Sequence, residues 1–172
     1  KSGCTQHPRN QHRQMVCEVA RVDAILAEQP PMLGEHVSQH VSKLLVRKGR
    51  YDEAERMLRD MFAQHRRLFG ENRVNTSHFA YQLAMLLRDR GQFEEAETLL
   101  TQDVLPQWRR SLGNENRGTL GVMYDLASVL ERKGEIAKAR ALLEEVTKTQ
   151  RRVLGKLDKD TLSSLHRLAD IT

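Results

Sequence analysis

Apolar residues recur at helical spacing in successive blocks along the chain. Phe79, Leu83, Leu86 and Leu87 line one such block, and Met123, Leu126 and Leu130 line another. An earlier block holds Ala54, Met57, Leu58, Met61 and Phe62, and a later one Ala139, Leu142, Leu143 and Val146. Each set predicts an amphipathic helix with one buried face. An earlier set, Met15, Val16, Val19, Ile25 and Leu26, predicts a helix over residues 10–29, stopped by Pro30-Pro31. No alternating run of β-branched or aromatic residues persists between turn signals, so no strand is predicted.

The blocks repeat. Gly49-Arg-Tyr-Asp-Glu-Ala54, Gly91-Gln-Phe-Glu-Glu-Ala96 and Gly134-Glu-Ile-Ala-Lys-Ala139 share one pattern, with their glycines 42 and 43 residues apart. A basic ending recurs at Arg66-Arg67, Arg109-Arg110 and Arg151-Arg152, each followed by Gly70, Gly113 or Gly155. Thr76, Thr119 and Thr161 keep the same period. Three marks in one register define a unit of two helices. The threonines are expected to cap the first helix of each unit, their hydroxyls accepting from a free amide of the first turn. The glycines at 91 and 134 end it, and acids such as Asp52-Glu53 and Glu94-Glu95 suit the start of the second. So tight a turn makes each unit an antiparallel hairpin. Small residues twelve apart, Ala84 with Ala96 and Ala127 with Ala139, let paired helices approach; Ser42 and Ala54 keep the spacing. A hairpin cannot bury both faces alone, so the units must stack.

These residues resemble the tetratricopeptide repeat in its 42-residue form, the form of kinesin light chains. The Leu-Ala pairs (Leu83-Ala84, Leu126-Ala127, Leu168-Ala169), the Gly-x-(aromatic or Ile)-x-x-Ala turn and the Arg-Arg-x-x-Gly ending carry the likeness from Gly34 onward. The resemblance implies an all-α fold, a right-handed superhelical solenoid of antiparallel helix pairs. Residues 1–31 form a basic N-terminal segment and helix, and 32–172 the solenoid. Within it, 34–75 is a degenerate repeat with Val41-Ser42 in place of Leu-Ala, 76–118 and 119–160 are repeats, and 161–172 is a partial repeat or capping helix. The second unit, 76–118, has one extra residue and Pro106 inside its second helix, which predicts a bend or bulge near Leu105. The fourth stops within its first helix, as a cap or because the natural chain continues.

The resemblance also implies a concave groove lined by the first helices. Its positions here are His36, Gln39 and Lys43; His78, Tyr81, Met85 and Arg88; Tyr124, Ser128 and Arg132; and Ser163, His166 and Asp170. Peptide-clamping relatives carry Asn before the Leu-Ala pair, where this chain has His40, Gln82, Asp125 and Arg167. The extended-peptide clamp is therefore not expected in its usual form.

Composition narrows the function. The chain has 172 residues, 39% hydrophobic and 30% charged, a soluble and core-forming balance. A net charge of +5 permits acidic partners without requiring nucleic acid. Cys4 and Cys17 are too few for a disulfide framework, which suits a reducing compartment. No apolar stretch has the length of a membrane span. The chain starts at Lys1, and Lys1, Arg9 and Arg13 without an acid in the first 17 residues are compatible with import, so an organelle stays open beside the cytoplasm. Cys4, His7, His12 and Cys17, and the pair His36 and His40, lack the paired spacing zinc requires, so no metal is expected. No phosphate loop, nucleophile elbow or zinc-protease motif is present, so neither catalysis, a cofactor nor a small-molecule substrate is expected. The expected role is a non-catalytic scaffold or adaptor that docks one or more proteins, including acidic or apolar segments. A structural subunit of a large assembly is the alternative, and an anionic-surface or nucleic-acid binder working through the Arg pairs a more distant one.

Overall fold

The structure, a computed structural model, describes residues 45–70 and 74–171. These lie in one compact unit that begins at Leu45. The predicted helix over 10–29, the four-residue Cys/His group, His36, Gln39, His40, Val41, Ser42 and Lys43 lie outside the described residues.

Among the described residues the chain is helical throughout. After a helical end at 45–47 come α1 (Tyr51–Phe69), α2 (Val74–Asp89), α3 (Phe93–Thr98), a π-helical segment (Leu99–Val104), α4 (Leu105–Leu112), α5 (Arg117–Arg132), α6 (Ile136–Val153) and α7 (Lys159–Asp170). The backbone stays right-handed helical from α3 through the π segment into α4, so these three form one rod. That rod pairs with α2, α6 pairs with α5, and each first helix also packs on the second helix before it, α2 on α1 and α7 on α6. The result is an all-α solenoid of stacked helix pairs.

The turn inside each pair is fixed by glycine. Gly91 and Gly134 take φ of +79° and +84°, the left-handed region that suits a residue without Cβ. The next N–H then reaches back over the helix end: Gln92 donates to the Leu87 carbonyl and Glu135 to that of Leu130, both at 2.9 Å. The helix starts differ from expectation. Asn116 and Asp158 cap α5 and α7, accepting from the N–H groups of Gly118 and Asp160. Their extended ψ angles of 137° and 141° aim the side-chain oxygen back at the first turn. Thr119 and Thr161 already lie inside the helix and are fully buried. Thr76, in the equivalent place, donates its hydroxyl to the Gly70 carbonyl at 3.1 Å, tying α2 to the end of α1.

The core runs the length of the stack. Leu58, Phe79, Leu87, Leu100, Leu120 and Met123 are each 2% exposed or less. Burying each such side chain contributes about 1.5–3 kcal/mol. Ala84, Ala96, Ala127 and Ala139 are fully buried, as close contact between paired helices requires.

The π segment absorbs the extra residue. From Leu58 to His65 and from Leu143 to Gln150 is seven residues; from Leu100 to Trp108 it is eight. Leu105 donates to the Leu100 carbonyl five residues back, the π pattern. The wider turn lets Pro106 stand in the second turn-position of α4, where an ordinary α turn would press its ring on the carbonyl four residues before. The register before the bulge is kept: Leu100 is buried like Leu58 and Leu143.

Ion pairs tie successive units in one pattern. Arg90, just after α2, contacts Glu55 and Asp52 of α1 at 2.5 and 2.7 Å. One unit on, Lys133 after α5 contacts Glu97 of α3 at 2.5 Å.

Candidate partner-binding site

The first helices α2, α5 and α7 lie side by side, and their shared face is built from residues on successive turns. Tyr81 of α2 donates its hydroxyl to Asp125 Oδ2 of α5 at 2.7 Å, and Arg88 Nη1 donates to Oδ1 at 3.2 Å. Burial raises the Asp125 carboxyl above the usual carboxylate range, against the opposing pull of the Tyr81 hydrogen bond and of Arg88 and Arg167. Burial first, and then the Asp125 charge, also push the Tyr81 phenol well above its ordinary value. From α7, Arg167 lies over the Tyr124 ring at 5.1 Å and approaches Glu131 Oε2 at 3.4 Å.

A ring cluster closes the other end of this face. The rings of His78 and Trp108 are parallel with centroids 6.4 Å apart, and the Tyr81 centroid lies 5.6 Å from that of Trp108. The indole N–H donates to Ser77 Oγ at 2.9 Å, and His78 contacts Gln82 through Nε2 at 2.8 Å. Trp108 comes from α4, not from a first helix, and reaches over α2 toward Gly118. Sequence reasoning missed it. The available signal was its place before the Arg pair, where His65 and Gln150 stand in the other units, both buried.

The expected groove residues fall in three groups. His78, Tyr81, Met85, Arg88 and Tyr124 are half-buried and come together, with Met85 and both tyrosines also packed against the core. Arg132 and His166 are exposed; His166 Nδ1 lies 3.0 Å from Asp170 Oδ2 one turn on. Ser163 is exposed too and donates to the Lys159 carbonyl. Ser128 is only 7% exposed and offers little to a ligand. The clamp positions Gln82, Asp125 and Arg167 all turn to neighbours in their own chain, His78, Tyr81 with Arg88, and Tyr124. The face therefore presents rings and side-chain rims over a floor whose polar groups are largely satisfied. Among the described residues no cluster of three or more His, Cys, Asp or Glu could hold a metal. Nor is any described helix long and apolar enough to cross a membrane.

The profile of the family described as "Tetratricopeptide repeat" matches residues 38–104 and 80–152, the greater part of the chain. The chain belongs to the tetratricopeptide repeat family. Members of this family are generally non-catalytic scaffolds for protein–protein interaction. Solved structures share the fold, among them the following three. A putative kinesin light chain with nearly identical TPR-like repeats from Podosopora anserina is 24% identical, with a TM-score of 0.74 over 84% of this chain and 67% of that one. A variant of the same protein is 22% identical, with a TM-score of 0.77 over 95% and 80%. BtubC (BKLC) from P. vanneervenii is 19% identical, with a TM-score of 0.75 over 84% of this chain and 57% of that one. No curated protein matches the chain.

Proposed function

We propose that this tetratricopeptide repeat chain is a non-catalytic adaptor that docks a partner protein across α2, α5 and α7, gripping its side chains and not an extended backbone. The observation that carries this reading is the set of clamp positions turned inward. Asp125 already accepts from Tyr81 at one oxygen and from Arg88 at the other, so both are engaged within the chain. What remains accessible is the half-buried row of His78, Tyr81, Met85 and Tyr124, with Arg132 and His166 at its rim. Such a row suits a helix or folded surface bearing apolar and acidic side chains.

The test is co-purification of partners from a cell extract with the full chain and with a Met85→Ala/Tyr124→Ala variant whose helix content is unchanged. Recovery is expected to fall at least about tenfold, a loss of roughly 1.4 kcal/mol or more. Unchanged recovery would sink the groove reading. The inward-turned clamp also supports a second reading, a fixed subunit of a larger assembly. In that case the chain stays with its assembly on dilution, whereas an adaptor dissociates.

A further inference from the structure

The second helices all finish on one edge of the solenoid, and that edge has a chemistry of its own. His65 near the end of α1 rests on Phe79 of α2 with ring centroids 4.6 Å apart, and Trp108 in α4 donates to Ser77 of the same helix. Arg152 at the end of α6 reaches Glu115 just beyond α4 at 2.6 and 3.1 Å. Arg117 opening α5 reaches Asp160 and Asp158 at the start of α7 at 2.6 and 3.0 Å. These contacts set the helix ends and their links beside one another.

Charge is unevenly divided between the two edges. The stretches 65–70, 108–117 and 150–159 hold nine Lys and Arg but only two acids, Glu115 and Asp158. The turns on the opposite edge, 88–95 and 131–138, hold five of each sign. Helix dipoles explain a cation at each C-terminus. They do not explain the apolar side chains in water beside them: Leu157 is 88% exposed, Leu68 53%, and Leu112 and Val153 42% each. The helix ends themselves are closed by glycine, whose N–H groups at 70, 113 and 155 donate to the carbonyls of Arg66, Arg109 and Gln150. Glu115 is engaged by Arg152 and Asp158 by Arg117. Among the described residues Arg67, Arg151, Lys156 and Lys159 have no carboxylate in ion-pair reach.

We propose that this edge is a docking strip for an acidic amphipathic protein segment, one that interleaves Asp or Glu with aliphatic residues. Charge complementarity selects the acids, and the exposed Leu68, Leu112, Val153 and Leu157 select their apolar neighbours. A nucleic acid would leave those four aliphatic side chains without a counterpart. A uniformly anionic bilayer would meet Glu115 and Asp158 set into the strip. The strip is a different face from the α2–α5–α7 row, so the two docking sites stand or fall separately.

The test uses fluorescence anisotropy of a labelled helical peptide of Glu and Leu, about 18 residues or five turns long, titrated with the full chain. Saturable binding is expected, weakened about tenfold or more by Arg67→Glu/Arg151→Glu/Lys156→Glu and about fivefold by Leu68→Ser/Leu157→Ser. Met85→Ala/Tyr124→Ala should leave it unchanged. No binding of the peptide, or full affinity in the charge-reversed variant, overturns the proposal. Equal affinity for a Glu/Ser peptide of the same charge, for duplex DNA or for phosphatidylserine vesicles also overturns it, because the strip would then be a general anion surface. Should the charge-reversed variant lose helix content, the leucine variant and a salt titration decide. Affinity that holds constant from about 50 to about 300 mM NaCl overturns the proposal, since attraction between exposed charges is screened over that range.

Discussion

Asp125 carries an unusual load for one side chain. It joins two first helices through Tyr81 and Arg88, yet burial keeps its carboxyl above the ordinary range. The folded state therefore holds that proton more tightly than the unfolded chain does. Its contribution to stability is largest below the ordinary carboxylate range and declines as pH rises through the raised value. Asp125→Asn removes the decline, so the variant should be more stable than the parent at pH 7 and converge with it near about pH 3. Urea midpoints at the two pH values check this; a variant less stable at pH 7 would mean that the Tyr81 and Arg88 contacts outweigh desolvation. Gly134 isolates a different effect. A Cβ there would meet nothing within 4 Å, but φ of +84° is strained for any L side chain. Gly134→Ala should cost about 1 kcal/mol through the backbone alone, read from a chemical melt.

Among the elements, the rod from Phe93 to Leu112 is the informative one. Its extra residue and Pro106 were visible in the sequence as a broken period, and the expected bulge near Leu105 is the π segment at Leu99–Val104. Deleting exposed Thr101 restores the spacing of the other units but forces Pro106 into an ordinary α turn, at a cost of about 3 kcal/mol. Deleting Thr101 together with Pro106→Ala should recover most of that loss, measured by urea unfolding. Helix ends were legible where glycine set them, since a left-handed residue has few substitutes. Helix starts were misread because a periodic threonine looks like a cap. Its period instead reflects a buried place inside the first turn, and the capping oxygens of Asn116 and Asp158 sit three residues earlier. The binding face was partly legible for a similar reason. Periodicity finds which positions of α2 and α5 point one way, but not that Trp108 crosses from another helix or that Ser128 is closed off.

Stability of the whole stack is a sum of neighbour contacts more than of distant ones. Leu143 of α6 is fully buried, and Leu143→Ala should cost about 2–5 kcal/mol. α7 packs mainly on α6, while α5 is held on both sides by the α3–α4 rod and α6. Hydrogen exchange should therefore be faster in α7 amides than in α5, and Leu143→Ala should widen the gap. Equal protection along the stack would point to one all-or-none unit instead.

Two ion pairs between units run one way along the array, while Arg59 with Glu95 and Arg117 with Asp158 run the other. Arg90 and Lys133 each belong to one unit and close on acids of the unit before, Glu55 and Glu97. The unit 76–118 thus offers an acid forward, Glu97, and a cation backward, Arg90; the unit 119–160 keeps the backward cation, Lys133, but has Arg140 at the acid's place. A second copy of the unit 76–118 inserted head to tail would find both of these partners waiting, whereas a second copy of 119–160 would set Lys133 against Arg140. Lengthening by whole units is then a local event, settled at each new junction without rebuilding the rest.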